Sequence, residues 1–189
     1  MADAQAQSRL WGRFSESLDG FFSVYESDWR TVFGAKFGFT DLSDSQCSIV
    51  QEFMALLVAS GADYTRTCRA LYDAYSADDV SVLMDPFLAK PFTEDQRARL
   101  TQWWSMWRDA LDRDGRGGVA DRLRLNNPYV IPRNHQVARV IAQAESGDVA
   151  PLQALMNACS TPFEPSPSTE PFAVPPTDSE RVTTTFCGT

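Results

Sequence analysis

Apolar side chains recur at intervals of three and four residues along most of the chain, and this spacing predicts helices rather than strands. No segment shows the apolar–polar alternation of a half-buried strand. The pattern therefore predicts an all-α, multi-helix, bundle-like fold. The first helix is expected to end at Gly38 and to carry one apolar face, made of Leu18, Phe21, Phe22, Tyr25, Trp29, Val32 and Phe33.

Start and stop signals divide the next hundred residues into separate helices. Ser43 with Gln46, and Thr93 with Gln96, have the spacing of a capping box at the start of a helix. A short helix and a loop are expected between Asp78 and Pro91. Glycine at position 61 ends the second helix, and an aspartate at position 63 caps the third. In the second helix the residues predicted to face inward are Ile49, Val50, Phe53, Leu56 and Leu57. The third helix bears Tyr64, Cys68, Leu71, Tyr72 and Tyr75, and the fourth carries Leu100, Trp103, Trp104, Trp107 and Leu111 on one broad face.

Three shorter helices are predicted beyond the glycines at positions 115, 117 and 118. They cover 119–125, about 133–146, and a last helix that Asp148 caps and in which Leu152, Leu155 and Met156 face inward. Six of the eleven prolines then fall between residues 162 and 176, which favours an extended or polyproline-like chain. We therefore divide the chain into a helical domain, residues 1–159, and an extended proline-rich tail, residues 160–189.

The composition is that of a globular protein, with 43% hydrophobic and 12% aromatic residues. A net charge of −8 opposes binding to nucleic acid or to an anionic membrane surface, because both need clustered Lys and Arg. No apolar run is long enough for a membrane span, and the N-terminus does not resemble a secretory signal. Four cysteines without CxxC spacing and a single histidine do not form a usual zinc site, and a reducing cytoplasm is expected.

The segment Asn127-Pro128 to Arg133-Asn134-His135 contains a turn, the start of a helix and the only histidine. No nucleophile motif accompanies His135, so a structural role is favoured over general base catalysis. Arg133 would lie at the positive end of a helix dipole, and a carboxylate or a set of carbonyls must hold it there. We consider Arg133, Asn134 and His135 candidate structural or docking residues, either between helices or toward another domain.

Other chemistry-bearing residues are few. The tryptophans at 103, 104 and 107 are expected in the core or at a domain interface rather than in a ligand platform. No glycine-rich loop follows a strand, so no phosphate cradle is predicted. Cys187 lies two residues from the end of the chain, where a thiol is accessible. It is a candidate redox residue, although an incidental exposed cysteine is equally compatible with its position.

Four passages in order resemble the C-terminal third of the selenoprotein O family. They are Lys36-Phe37-Gly38-Phe39; Gly61-Ala62-Asp63-Tyr64-Thr65; Asn127-Pro128 through Arg133-Asn134-His135 with Gly147-Asp148; and the proline-rich arm ending in Phe186-Cys187-Gly188-Thr189. That family comprises kinase-like (pseudokinase) enzymes that transfer AMP from ATP to protein hydroxyl groups, a reaction called AMPylation. The resemblance implies ATP and Mg²⁺ or Mn²⁺ for the full-length enzyme and none in this chain.

The resemblance also implies a role for the chain end. Cys187 matches the family's terminal selenocysteine or cysteine, which is implicated in redox control through a bridge to a cysteine of the kinase-like domain. That domain, with its nucleotide- and metal-binding residues, would lie upstream of Met1, so no catalytic, cofactor or metal residue is assigned here. The chain is then a fragment, a truncated product or one piece of a split enzyme, and its expected partner is the kinase-like domain.

Two other interpretations stay open. The chain can be a self-sufficient helical binding module that uses its proline-rich arm to recognise a partner, and such a module would expose no large apolar patch. It can also be an independent enzyme, although its sequence motifs offer little support for that.

Overall fold

The computed structural model describes residues 2–84 and 92–182, and this part of the chain contains helices and no strand. The all-α prediction is therefore confirmed. The helices are α1 (Ala2–Lys36), α2 (Asp44–Ser60), α3 (Tyr64–Ala77), α4 (Glu94–Asp114), α5 (Val119–Asn126), α6 (Asn134–Glu145), α7 (Ala150–Ser160) and α8 (Glu170–Ala173). Short 3₁₀ helices cover Val80–Leu83 and Asp178–Glu180. Within the predicted Asp78–Pro91 connection, residues 85–91 lie outside the described part.

The predicted helix ends are mostly confirmed, because capping depends on local chemistry. Ser43 and Thr93 both form complete capping boxes, and Gly61 ends α2 in the left-handed conformation with φ of 69°. Asp63 caps α3 as predicted. The prediction for Asp148 is off by one residue, since Val149 is the N-cap of α7. The Asp148 carboxylate nevertheless accepts a hydrogen bond of 3.2 Å from the Ala150 N–H.

The larger of two hydrophobic clusters extends from Phe37 to Leu123 and is centred on tryptophans of α4. Trp103 and Trp107 are fully buried, and their rings stack with centroids 5.3 Å apart. Each indole N–H donates to a backbone carbonyl, Trp103 to Ile49 at 2.8 Å and Trp107 to Phe37 at 2.9 Å. These two tryptophans are core residues, as the sequence predicts, because their rings are buried and their indole N–H groups are hydrogen-bonded within the protein.

The turn after α1 is fixed from several sides. The Arg122 Nε donates to the Gly38 carbonyl at 2.8 Å, and the buried Asn127 Nδ2 donates to the Lys36 carbonyl at 2.8 Å. Together with the Trp107 bond to Phe37, these contacts hold three consecutive carbonyls of the turn. The turn thus joins α1, α4 and α5 at one point.

A second, smaller cluster combines α6 and α7 with part of the tail. Its buried residues are Val130, Val140, Leu155, Ala158, Phe172 and Ala173. The Pro162 carbonyl accepts hydrogen bonds from the N–H groups of Tyr129 and Val130, at 2.7 and 3.1 Å. Because residues 170–173 form α8 and bury Phe172, the described part of the tail is not extended throughout. The prediction that Met156 faces inward is wrong, since only one side of α7 contacts this small cluster.

The predicted apolar face of α1 exists, but most of it does not contact the core. Only Trp29 and Phe33 of that face pack against the larger cluster. The other five, Leu18, Phe21, Phe22, Tyr25 and Val32, are exposed, as are three further apolar side chains of the helix, Trp11, Phe14 and Val24. These eight side chains are between 42% and 67% exposed, and we call them the α1 apolar face. None of the described helices has both the length and the hydropathy of a membrane-spanning segment.

Candidate functional site

The three predicted docking residues lie where the turn from Asn127 leads into α6. Arg133 is the N-cap residue of α6 and is buried, although its side chain makes no capping hydrogen bond. Asn134 opens the helix and is exposed, and His135 is half-buried. Only Arg133 of the three therefore points into the body of the protein.

Arg133 forms a two-bonded ion pair with Asp63, seventy residues earlier. The Arg133 Nη1 lies 2.7 Å from Asp63 Oδ2, and Nη2 lies 2.9 Å from Oδ1. The side chains are only 8% and 19% exposed, so water screens this pair weakly. The carboxylate also accepts the Arg66 N–H at 2.9 Å as the cap of α3. One carboxylate thus satisfies the first turn of α3 and the guanidinium at the start of α6.

Opposing effects act on the pKa of Asp63. Burial favours the protonated acid and would raise the pKa, whereas the Arg133 guanidinium and the Arg66 backbone N–H stabilise the charged form. The pKa of Asp63 therefore stays below its ordinary value, and the carboxylate is charged at neutral pH. The Arg133 Nε is buried and has no hydrogen-bond partner among the described residues. The pair fixes the helix junction and leaves the buried Nε–H of Arg133 as an unpaired donor within the described part of the chain.

His135 lines a cavity of about 520 Å³ with the end of the described tail, including Pro176 and Arg181. Burial lowers the pKa of His135, which the nearby arginines lower further while Glu180 opposes them. The imidazole is therefore neutral at neutral pH. Among the described residues that line this cavity there is no serine, threonine or cysteine that His135 could activate. This arrangement favours a structural histidine.

Sequence reasoning missed a partly buried group beside the Asp63–Arg133 pair, made of Lys36, Tyr64 and the buried Cys68. Lys36 Nζ lies 5.4 Å from the centroid of the Tyr64 ring and donates to the Asn126 carbonyl at 3.1 Å. Burial lowers the pKa of Lys36, and it raises the pKa of Tyr64 to about 12 and that of Cys68 to about 11. Tyr64 and Cys68 are thus protonated at neutral pH, and the group serves packing rather than nucleophilic chemistry.

The sequence did contain a signal for this junction. Lys36, Asp63 with Tyr64, and Arg133 come from the first three of the four short passages quoted above. These passages are far apart in the chain and meet in space through the contacts of Lys36 and Arg133. What could not be read from the sequence is which residue pairs with which.

The cysteines differ in their access to solvent. Cys187 lies outside the described residues. Cys68 is buried, and Cys47 and Cys159 are half-buried; all three are free thiols. Burial raises the pKa of Cys159 as well, which disfavours its thiolate. The described residues contain no group of three or more His, Cys, Asp or Glu side chains suited to hold a metal ion.

Comparison with known proteins identifies the family. The family model described as protein adenylyltransferase SelO matches residues 11–160. The chain belongs to the SelO family. The protein nucleotidyltransferase YdiU of Rhizobium etli (strain CIAT 652) is 36% identical over 168 residues, which cover 87% of this chain and 32% of the relative. The YdiU protein of Rhizobium johnstonii is 35% identical over 192 residues, covering 100% of this chain and 37% of the relative.

A third SelO-family relative, the YdiU protein of Jannaschia sp., is 32% identical over 178 residues that cover 93% of the chain and 35% of that protein. The chain therefore spans about a third of the length of the curated relatives it matches. The family is shared over nearly the whole chain, and the other two thirds of each SelO-family relative have no counterpart in it.

Proposed function

We propose that this chain is the non-catalytic C-terminal helical region of a SelO-type protein adenylyltransferase. In the whole enzyme a kinase-like domain would transfer AMP from ATP to Ser, Thr or Tyr hydroxyls with Mg²⁺ or Mn²⁺. The family match and the relatives' designation as nucleotidyltransferases support the enzyme class. The described residues offer no metal-ligand cluster that fits Mg²⁺ or Mn²⁺, so we assign this chain no step of the transfer.

The observation that carries the proposal is the α1 apolar face. Eight large apolar side chains on one helix are 42% to 67% exposed, although the same chain buries Phe37, Phe53, Trp103 and Trp107 almost completely. Exposed apolar area of this extent on a soluble domain marks an interface. A self-sufficient binding module predicts no such face, so the structure favours a region that packs on a neighbouring domain.

The Asp63–Arg133 pair supports the same role. It joins the start of α6 to the start of α3, and so couples the small cluster and the tail to the larger cluster. A region held in this way can present the end of its tail to a neighbouring domain from a defined direction. Its function would be positional rather than chemical.

Two experiments test whether this chain is non-catalytic and binds the rest of the enzyme. The purified chain, incubated with labelled ATP, Mg²⁺ or Mn²⁺ and an acceptor protein, is expected to transfer no AMP. Co-expression with the remaining two thirds of a YdiU relative is expected to give a complex that withstands purification. Transfer of AMP by the chain alone would contradict the proposal, as would failure of the two polypeptides to associate.

The Phe22→Asp variant tests whether the α1 apolar face is the interface. Phe22 is 63% exposed on α1, and a carboxylate in an apolar interface is strongly unfavourable, so the complex should weaken by about tenfold or more. Val58→Asp is the matched control, because Val58 is 82% exposed on α2 and lies outside the α1 apolar face. Equal binding by both variants would exclude α1 as the interface.

We also propose that Cys187 is the redox residue of the complete enzyme. Support comes from its place near the chain end and from the raised pKa of Cys68 and Cys159, which disfavours those thiols. Cys187→Ser in the complete enzyme should abolish a mobility shift between oxidised and reduced samples, with helicity by circular dichroism unchanged. Cys47→Ser is the control. A shift that persists in Cys187→Ser, or that disappears only in Cys47→Ser, would refute this role.

A further inference from the structure

The α1 apolar face follows a seven-residue repeat. Trp11, Leu18, Tyr25 and Val32 are spaced by seven, and Phe14, Phe21 and Asp28 fall three residues after the first three of them. In heptad notation these are a and d positions, the spacing by which helices pack side by side. The repeat runs along roughly 32 Å of helix at 1.5 Å per residue. A helical partner therefore fits this face better than a loop or a strand does.

The flanking positions determine what kind of helical partner fits. A two-stranded coiled coil usually carries charged residues at e and g, which select the partner. Here those positions hold only uncharged residues: Ser15, Phe22 and Trp29 at e, and Ser17, Val24 and Thr31 at g. Phe22 and Trp29 at e and Val24 at g widen the apolar surface beyond a and d, which is typical of a helix that lies in the groove between two others. The face is therefore too broad for pairing with one helix of a second copy.

One residue interrupts the apolar repeat, and it is charged. Asp28 occupies a d position, is exposed, and accepts no hydrogen bond from any described residue. Its neighbours on the same helix, Glu26 and Arg30, pair with each other instead. A partner that covers the α1 apolar face would bury the Asp28 carboxylate. Burying this charge without a neighbouring cation is energetically costly. Charge complementarity therefore requires a cationic side chain opposite Asp28.

The surface beside Asp28 already has the shape to receive such a side chain. An open, largely apolar depression of about 370 Å³ lies along α1 and is lined by Asp28, Phe21, Tyr25, Trp29 and Phe33 among others. The rings form two stacked pairs, Phe21 with Tyr25 at 6.2 Å and Trp29 with Phe33 at 4.7 Å between centroids. Aromatic faces around a carboxylate favour the aliphatic stem and guanidinium of an arginine. We call this depression the α1 notch.

We propose that the α1 apolar face docks in a groove between two helices of the kinase-like domain, with an arginine or lysine of that groove in the α1 notch, paired with Asp28. This inference rests on the proposed function and adds to it the register and the charge of the contact. A second copy of this chain is the competing occupant, and the e and g residues argue against it.

The test measures binding of the purified 189-residue chain to the separately purified YdiU remainder by titration at two salt concentrations. Asp28→Lys should weaken binding about tenfold or more, and Asp28→Asn should weaken it less and reduce its salt dependence. Asp19→Lys is the matched control, because it makes the same charge change at an exposed b position of α1 and should alter affinity less than about twofold. Asp28 and Asp19 are both exposed, so circular dichroism should show unchanged helicity in all three variants.

The outcomes separate the two proposals. If the unaltered chain does not bind the YdiU remainder, the proposed function fails. If it binds, and Asp28→Lys binds as tightly as Asp19→Lys, the proposed function stands and the Asp28 contact is refuted. Sedimentation of the chain alone as a dimer that Asp28→Lys dissociates would assign the face to a second copy and would also refute the inference.

Discussion

Gly38 has a positive φ of 82° in the crowded turn after α1. A Cβ added there would lie 3.0 Å from Val119 Cγ1 and 3.3 Å from Leu123 Cγ. Gly38→Ala should therefore lower the free energy of unfolding by about 2–4 kcal/mol, through left-handed strain and overpacking together. Urea denaturation measures this change. Gly61→Ala isolates the strain, because Gly61 has φ of 69° with no atom within 4 Å of an added Cβ, and should cost about 1–2 kcal/mol. Equal costs would show that the crowding at Gly38 relaxes freely.

Asp63 gives the chain a defined response to acid. Its pKa is lower in the folded protein than in the unfolded chain, so folding stabilises the charged form. The resulting stability is fully present above the unfolded pKa, near 4, and is lost as pH falls through the lower folded pKa. Asp63→Asn should remove this pH dependence and, by leaving Arg133 buried without a countercharge, cost about 3–5 kcal/mol at pH 7. Denaturation of both proteins between pH 2 and pH 7 tests the sign. An unchanged acid slope in Asp63→Asn would assign the acid sensitivity to other carboxylates.

At the scale of the elements, α1 differs from the other helices because its apolar residues stabilise the isolated chain little. Phe22→Asp, which should disrupt the complex, is expected to change the free energy of unfolding of the chain alone by less than about 0.5 kcal/mol. Phe53→Ala in α2, where the ring is 1% exposed, should cost about 3–5 kcal/mol. Thermal denaturation of the two variants compares them directly. A large loss of stability in Phe22→Asp would mean that the α1 apolar face is covered within this chain.

The helices also show which features a sequence can predict. Ser43, Gly61 and Thr93 were correct as helix boundaries because capping involves residues only three or four positions apart. Periodicity correctly placed the apolar residues of α1 on one face. It could not distinguish a face that packs against the core from one that is exposed in the isolated chain. The Asp63–Arg133 pair spans seventy residues, so the sequence could state only that Arg133 needs an acceptor.

At the scale of the whole molecule, the described residues divide into two hydrophobic clusters of unequal size. The larger contains nineteen buried residues and the smaller contains six. A cluster of six residues buries little apolar area, so α6 and α7 depend on their attachment to the rest of the protein. The Asp63–Arg133 pair is the buried ion pair at that attachment.

Arg133→Gln tests this dependence, because glutamine removes the ion pair but leaves Asp63 as the cap of α3. Amide hydrogen exchange should accelerate about tenfold or more in α6 and α7, while α2 and α4 keep their protection, since local opening of the small cluster does not require the larger one to unfold. Arg99→Gln is the control, because it removes an ion pair of 2.7 Å between half-exposed side chains of α4 and α2 and should leave exchange in α6 and α7 unchanged. If Arg133→Gln accelerates exchange uniformly in all helices, the two clusters unfold as one cooperative unit. The ion pair would then contribute to global stability and would not act as a separate attachment.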